Sequence, residues 1–228
     1  EMYGAVGDGT TDDSSAIQTA IDFVNTNGGG NVRFAGKTYR AENLTPKDNV
    51  TLLGNGASQL KLVTGATHHL INYVSNTILN NFNIKWMILD GNSQTIYDLV
   101  HIERQTDRPV YLWDNSVIDS CQFNNGAVGL LCTTPGSVKV INTVFQYNDI
   151  GIKQRYEHFY LTNVTLWHNR IGADIYKANH FTWTNAIFAH STDYGVYADQ
   201  TFESTLQGCN FIDDNVCFYG KPESNVYL

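Results

Sequence analysis

The chain has 228 residues, a net charge of −8 and 16% charged residues, enough for one elongated domain or two small ones. The acidic balance excludes nucleic acid as a partner, because a phosphate backbone calls for a basic surface. No apolar run approaches the roughly 20 residues of a membrane span, so no membrane insertion is expected.

The first predicted element is an amphipathic helix over residues 11–27. Asp12, Asp13 and Ser14 offer N-cap oxygens and negative charge at its N-terminus. Ile17, Ala20, Ile21 and Val24 follow at helical spacing, and Gly28, Gly29 and Gly30 stop it. Short strands come next, around Val32, Phe34 and Tyr39, then Leu52-Leu53 and Leu60–Leu62. No second helix of comparable strength follows, so the helix reads as a cap on a β structure. The four cysteines, Cys121, Cys132, Cys209 and Cys217, show no CxxC pair and no metal spacing, and read as buried free thiols.

The C-terminal half repeats about every 22 residues. The anchors are Ser120, Asn142, Asn163, Asn185 and Gly208. Three residues on stand Phe123, Phe145, Leu166, Phe188 and Phe211, and six on stand Gly126, Asn148, Asn169, Ser191 and Asp214. Ile118, Val140, Leu161, Trp183 and Leu206 precede the anchors by two. A period of two inside each unit, repeated at this step, means coils of several short strands joined by turns. The anchor Asn residues are expected to ladder from coil to coil. A degenerate earlier copy runs Asn81, Ile84, Met87, Asp90, with about 17 extra residues forming an excursion around 91–112. The fold class is therefore all-β, a right-handed parallel β-helix with an N-terminal capping helix.

The N-terminus carries Tyr3-Gly4-Ala5-Val6-Gly7-Asp8-Gly9-Thr10-Thr11-Asp12-Asp13, then Ala16-Ile17, Gly28-Gly29-Gly30-Asn31-Val32 and Gly36-Lys37-Thr38-Tyr39. This pattern resembles the opening module of the pectate-lyase-like β-helix family, over about the first 40 residues. The Pro that the family places before Ala35-Gly36 is missing. The resemblance implies an N-terminal module at 1–45 and coils over 46–228. The family includes polygalacturonase-like enzymes, epimerases and bacteriophage tailspikes. It implies a virion tail or appendage protein, or a secreted one, and a homotrimer where it is a tailspike. Asp8, Asp12 and Asp13 lie in a Gly-rich loop at a helix start, so their expected role is structural, capping the helix or stitching the loop.

Chemistry on such a scaffold needs outward side chains from neighbouring coils. The outward columns read Leu131, Lys153, Asp174, Tyr197 and Thr133, Arg155, Tyr176, Asp199, with Asp174 beside Tyr197 and Tyr176 beside Asp199. The Cα atoms of Asp174 and Asp199 would then lie roughly 8 Å apart, a spacing that suits two carboxylates acting on a glycosidic bond. Asp174 and Asp199 are the expected catalytic acids, with Glu157 as a third candidate. A second outward strip holds Asn125, Tyr147, His168, His190 and Asp213, with Trp167 beside it. Tyr147, Trp167, His168, Tyr176, His190, Tyr197 and Asp213 are the expected sugar-binding residues. Asp90, Glu103 and Asp107 are further acids on or near the excursion. No metal site and no cofactor is expected. The expected function is binding and cleavage of a bacterial surface polysaccharide. The alternatives are a non-catalytic receptor-binding β-helix and a free microbial hydrolase or lyase of the pectin-degrading type.

Overall fold

A computed structural model describes residues 3–105, 112–133, 136–156, 158–178, 181–221, 224 and 226–227. It is a right-handed parallel β-helix, with one helix at its N-terminal end. All described strand pairs are parallel, and each coil contributes to three faces. The first face stacks Ser116–Asp119, Val138–Ile141, Phe159–Thr162, Thr182–Thr184 and Ser204–Gln207. The second stacks Gln122–Asn124, Val144–Gln146, Thr165–Trp167, Ile187–Ala189 and Asn210–Ile212. The strand Asn83–Asp90 is long enough to serve both faces. The third face stacks seven strands: Ile71–Ser75, Val100–Arg104, Val128–Thr133, Ile150–Arg155, Ile171–Tyr176, Tyr194–Asp199 and Val216–Gly220.

The inward columns are those of the repeat. Ile118, Val140, Leu161, Trp183 and Leu206 lie in register and are buried. Phe123 stacks on Phe145 at 4.7 Å and Phe188 on Phe211 at 4.9 Å, which is the strand spacing of a sheet. Each coil turns its corner on a residue with left-handed backbone. At the anchors these are Ser120 (φ 55°), Asn142 (50°), Asn163 (54°), Asn185 (53°) and Gly208 (62°). Asn tolerates this conformation better than most side chains, which explains its place in the column.

The expected ladder at the anchors exists, at 3.3 Å from Asn163 Nδ2 to Asn142 Oδ1 and 3.4 Å from Asn185 Nδ2 to Asn163 Oδ1, but it is exposed. The buried ladder lies in the column six residues after the anchors. There Asn148 Oδ1 accepts the Gly126 N–H and Asn169 Oδ1 accepts the Asn148 N–H, both at 3.0 Å. At the chain start, helix α1 (Ser14–Thr26) buries Ile17, Ala20 and Ile21 against the first strands. Asp13 makes no side-chain cap on α1. Its carboxylate instead accepts the N–H groups of Val6 at 2.7 Å and Gly7 at 3.1 Å, stitching the Gly-rich loop.

Three expectations need correction. The earlier copy is displaced: Ile84 stands opposite Ile118 and Leu89 opposite Phe123, so Trp86, not Asn81, occupies the anchor corner. Asn81 belongs to another left-handed Asn corner, with Asn49 and Asn115. Corners share one backbone requirement, so Asn alone does not say which corner it turns. Residues 91–112 are not a single excursion, because Val100–Arg104 is a regular strand of the third face. Among the described residues, those between Asp90 and Val100 lengthen the corner before that strand. Finally, Cys121 and Cys132 are buried, but Cys209 is half-buried and Cys217 exposed.

Candidate functional site

The outer surface of the third face carries the expected checkerboard. Lys153 stands beside Asp174 and Asp174 beside Tyr197, while Arg155 stands beside Tyr176 and Tyr176 beside Asp199. Tyr219 extends the first column and stacks on Tyr197 at 5.4 Å. An apolar column of Val128, Ile150 and Ile171 runs alongside, joined by Leu131. Val128, Leu131 and Ile150 are buried and Ile171 half-buried, so the face presents its polar columns beside a largely covered apolar cluster.

Both expected acids are engaged. Asp174 takes a two-toothed pair from Arg155, at 2.7 Å and 3.2 Å. Asp199 lies 2.6 Å from Lys221 Nζ, and that contact holds the ammonium well above its usual range. Tyr176 lies under two cations, Lys177 Nζ at 5.0 Å and Arg155 at 5.7 Å from its ring centre. Glu157 and Asp107 lie outside the described residues.

The second strip is a corner, not a sheet face. Tyr147, His168, His190 and Asp213 have left-handed backbone with φ of 57°, 52°, 57° and 51°. Strand alternation gives way there to a turn, and each side chain points off the edge between the second and third faces. The rings still stack, Tyr147 on His168 at 5.4 Å and His168 on His190 at 4.9 Å, with Trp167 5.5 Å from His168. Asp213 lies 3.9 Å from His190 Nδ1. Because neighbouring rings cover each other's faces, the ridge presents mainly hydroxyl and imidazole edges to solvent. Asp90 is buried and accepts Gln59 Nε2 at 2.9 Å and the Asn92 N–H at 2.7 Å, a turn-forming role.

At the N-terminal end of the third face lies a cluster that the sequence reading missed, apart from Glu103. His101 Nδ1 is 2.6 Å from Asp98 and its Nε2 is 3.0 Å from Glu103. Asp98 and His101 are about one-tenth exposed, whereas the Glu103 side chain is 47% exposed. Burial pulls the His101 pKa down, but the Asp98 and Glu103 contacts outweigh it and raise it above 6.5. His69, from the preceding coil, stacks on His101 at 3.9 Å and 16°. Burial first, then the charge of His101, lowers the His69 pKa below 6.5. One visible signal was the alternation His101-x-Glu103, which puts both side chains on the outer surface of one strand. His69, Asp98 and His101 have metal-binding chemistry and bring their atoms within 4.8 Å of one another. However, the rings are nearly parallel, so their in-plane lone pairs do not converge. His69 Nδ1 also already accepts the Asp98 N–H at 2.9 Å. The arrangement is wired for protons.

Relatives and solved structures share this architecture. Mannuronan C5-epimerase AlgE6 of Azotobacter vinelandii is 37% identical over 111 residues, which are 43% of this chain and 13% of that protein. The capsule K30/K69-specific depolymerase of Klebsiella phage K64-1 is 34% identical over 100 residues, 43% of this chain and 12% of that protein. The chain thus spans less than a fifth of the length of either. Among solved structures, ORF18 of Geobacillus virus E2 aligns with a TM-score of 0.66 at 16% identity, covering 96% of this chain and 60% of the other. Tailspike protein 2 of bacteriophage CBA120, its enzymatically active domain, aligns at 0.62 and 12% identity, covering 96% and 42%. Residues 1–220 match the family model for rhamnogalacturonase A/epimerase, pectate lyase-like proteins, and the chain belongs to that family.

Proposed function

We propose that this chain is the β-helix of a virion tail appendage that binds and cleaves a bacterial surface polysaccharide along its third face. The observation that carries the reading is the outer surface of that face, where acids, cations and tyrosines from successive coils stand in continuous register. Such columns repeat at the strand spacing and suit a long polymer lying across the coils. A capsule depolymerase among the relatives and a tailspike among the structural neighbours support the same reading. Asp174 and Asp199 are the proposed acids, with Glu157 as a third, and Tyr176, Tyr197 and the Tyr147–His190 ridge as sugar contacts. In this reading Arg155 and Lys221 yield the carboxylates to the substrate. The proposed assembly is a homotrimer.

A second reading, binding without cleavage, draws on the cations that hold both acids. The Asp98–His101–Glu103 group is the competing chemical centre, since it combines carboxylates with a histidine of shifted pKa. The test incubates the protein with capsular polysaccharides and measures new reducing ends and bound glycan together. The expected result is release by the wild type, and a loss of about 100-fold or more in Asp174→Asn and Asp199→Asn with binding kept. Unchanged turnover in both variants would reject the two aspartates and turn attention to His101. Binding with no release would establish the second reading, and neither binding nor release would sink both. Sedimentation analysis checks the trimer.

A further inference from the structure

His69 sits at the corner before the strand Ile71–Ser75, one coil from Asp98. Its Nδ1 accepts the Asp98 backbone N–H at 2.9 Å. A neutral imidazole whose Nδ1 accepts must carry its proton on Nε2. Protonation of His69 would therefore place a second hydrogen on the accepting atom, facing the Asp98 N–H donor to donor. The same event would add a positive charge 3.9 Å above the ring of His101, whose two nitrogens both face carboxylates.

The groups around His69 are few. From the strand Val100–Arg104 and the turn before it come His101, Asp98 and Glu103, and Tyr97 meets the ring edge-on at 5.8 Å. From its own segment comes His68, which lies 3.6 Å from Glu42. Among the described residues, the carboxylate in reach of a new Nδ1–H is that of Asp98 at 3.6 Å, and that oxygen is already 2.6 Å from His101. Charging His69 thus swaps a backbone bond for competition over a carboxylate.

We infer that His69 is a pH-sensitive latch: uncharged, it holds the Asp98 N–H from the preceding coil, and on taking up a proton it lets that N–H go. The backbone stays tied otherwise, since the Asp98 carbonyl accepts the Leu70 N–H of the preceding coil at 3.1 Å, the Tyr97 carbonyl accepts the Ala127 N–H, and Gln94 bonds Val63 and Ala66. Release is therefore confined to the Asp98 N–H, which is opened to water while the strand pairing on either side persists. If the proposed glycan surface is right, the latch regulates its N-terminal end, and that consequence rests on the functional reading. The direction follows from the environment. His69 is held below 6.5 by burial and by His101, so the neutral, closed form is fully present above 6.5 and is lost as the pH falls through the lowered value.

The test needs no glycan, so its failure and that of the functional reading are separable. Amide exchange of Asp98 is followed by NMR from about pH 7.5 to about pH 4.5, as a protection factor that removes the intrinsic pH dependence. His69→Asn offers a fixed acceptor in place of Nδ1, whereas His69→Phe keeps a ring for stacking and loses the acceptor. Wild-type protection is expected to fall about tenfold or more across the range. His69→Asn should stay protected throughout, and His69→Phe should be unprotected throughout. Constant protection in the wild type would overturn the latch. An equal fall in His69→Asn would also overturn it, by assigning the change to Asp98 or Glu103. His69→Asn alone decides the matter if His69→Phe does not fold.

Discussion

Asn169 shows how single side chains hold the coils in register. Its Oδ1 accepts the Asn148 N–H at 3.0 Å, and its Nδ2 donates to the Phe145 carbonyl at 3.0 Å. Both bonds are buried, where an orphaned backbone group costs about 1–3 kcal/mol. Asn169→Ala removes both at once, so urea unfolding should show a loss of about 3 kcal/mol or more. Asn163→Ala, at an exposed anchor, gives up two surface contacts, at 3.3 and 3.4 Å, and should cost about 1 kcal/mol or less from those contacts. A comparable loss in both would refute the distinction between the buried and exposed ladders. The sequence shows Asn in both columns and cannot rank them, because burial is a property of the closed coil. His69 and Asp98 were illegible for a similar reason: they meet across coils whose lengths differ. Asp174 beside Tyr197 was legible, because strand alternation and the coil step suffice to place outward neighbours.

Within the coils, glycine sets how closely consecutive third-face strands can begin. Gly129, Gly151, Gly172 and Gly195 stand second in these strands. A Cβ on Gly151 would sit 2.6 Å from the Gly172 carbonyl oxygen and 3.1 Å from Leu166. The first of these is backbone in a paired strand, so it has no flexible end to move aside. Gly151→Ala should therefore destabilise the protein by about 1–3 kcal/mol, read as a lower urea midpoint at unchanged slope. Stability equal to the wild type would show that the strands can spread locally. These glycines recur in the sequence at about the coil step. That a methyl group would strike the next coil's carbonyl is known only once the coils are stacked. At the corner ridge, the repeat placed Tyr147, His168 and His190 together, but strand alternation carried past its end misread a turn as sheet.

The molecule as a whole is a stack in which each coil pairs with its neighbours, so stability is expected to add up coil by coil. Helix α1 covers the core at one end through Ile17 and Ile21. At the other end, Val216–Gly220 pairs on one side alone among the described residues. Hydrogen exchange should therefore be slowest in Val128–Thr133, Ile150–Arg155 and Ile171–Tyr176 and faster toward Val216–Gly220. Uniform protection along the chain would show a single cooperative unit instead.

The sequence by itself determined the scaffold: the coil step, the inward columns, the terminal helix and the alternation that sets Asp174 and Asp199 outward. These are periodic features, and periodicity survives without knowledge of contacts. Only the tertiary structure decided which corner each Asn turns, that Arg155 and Lys221 hold the two acids, and that His69, Asp98, His101 and Glu103 share one network. Those facts depend on how many residues each corner consumes, and a corner can lengthen without disturbing the strands it joins.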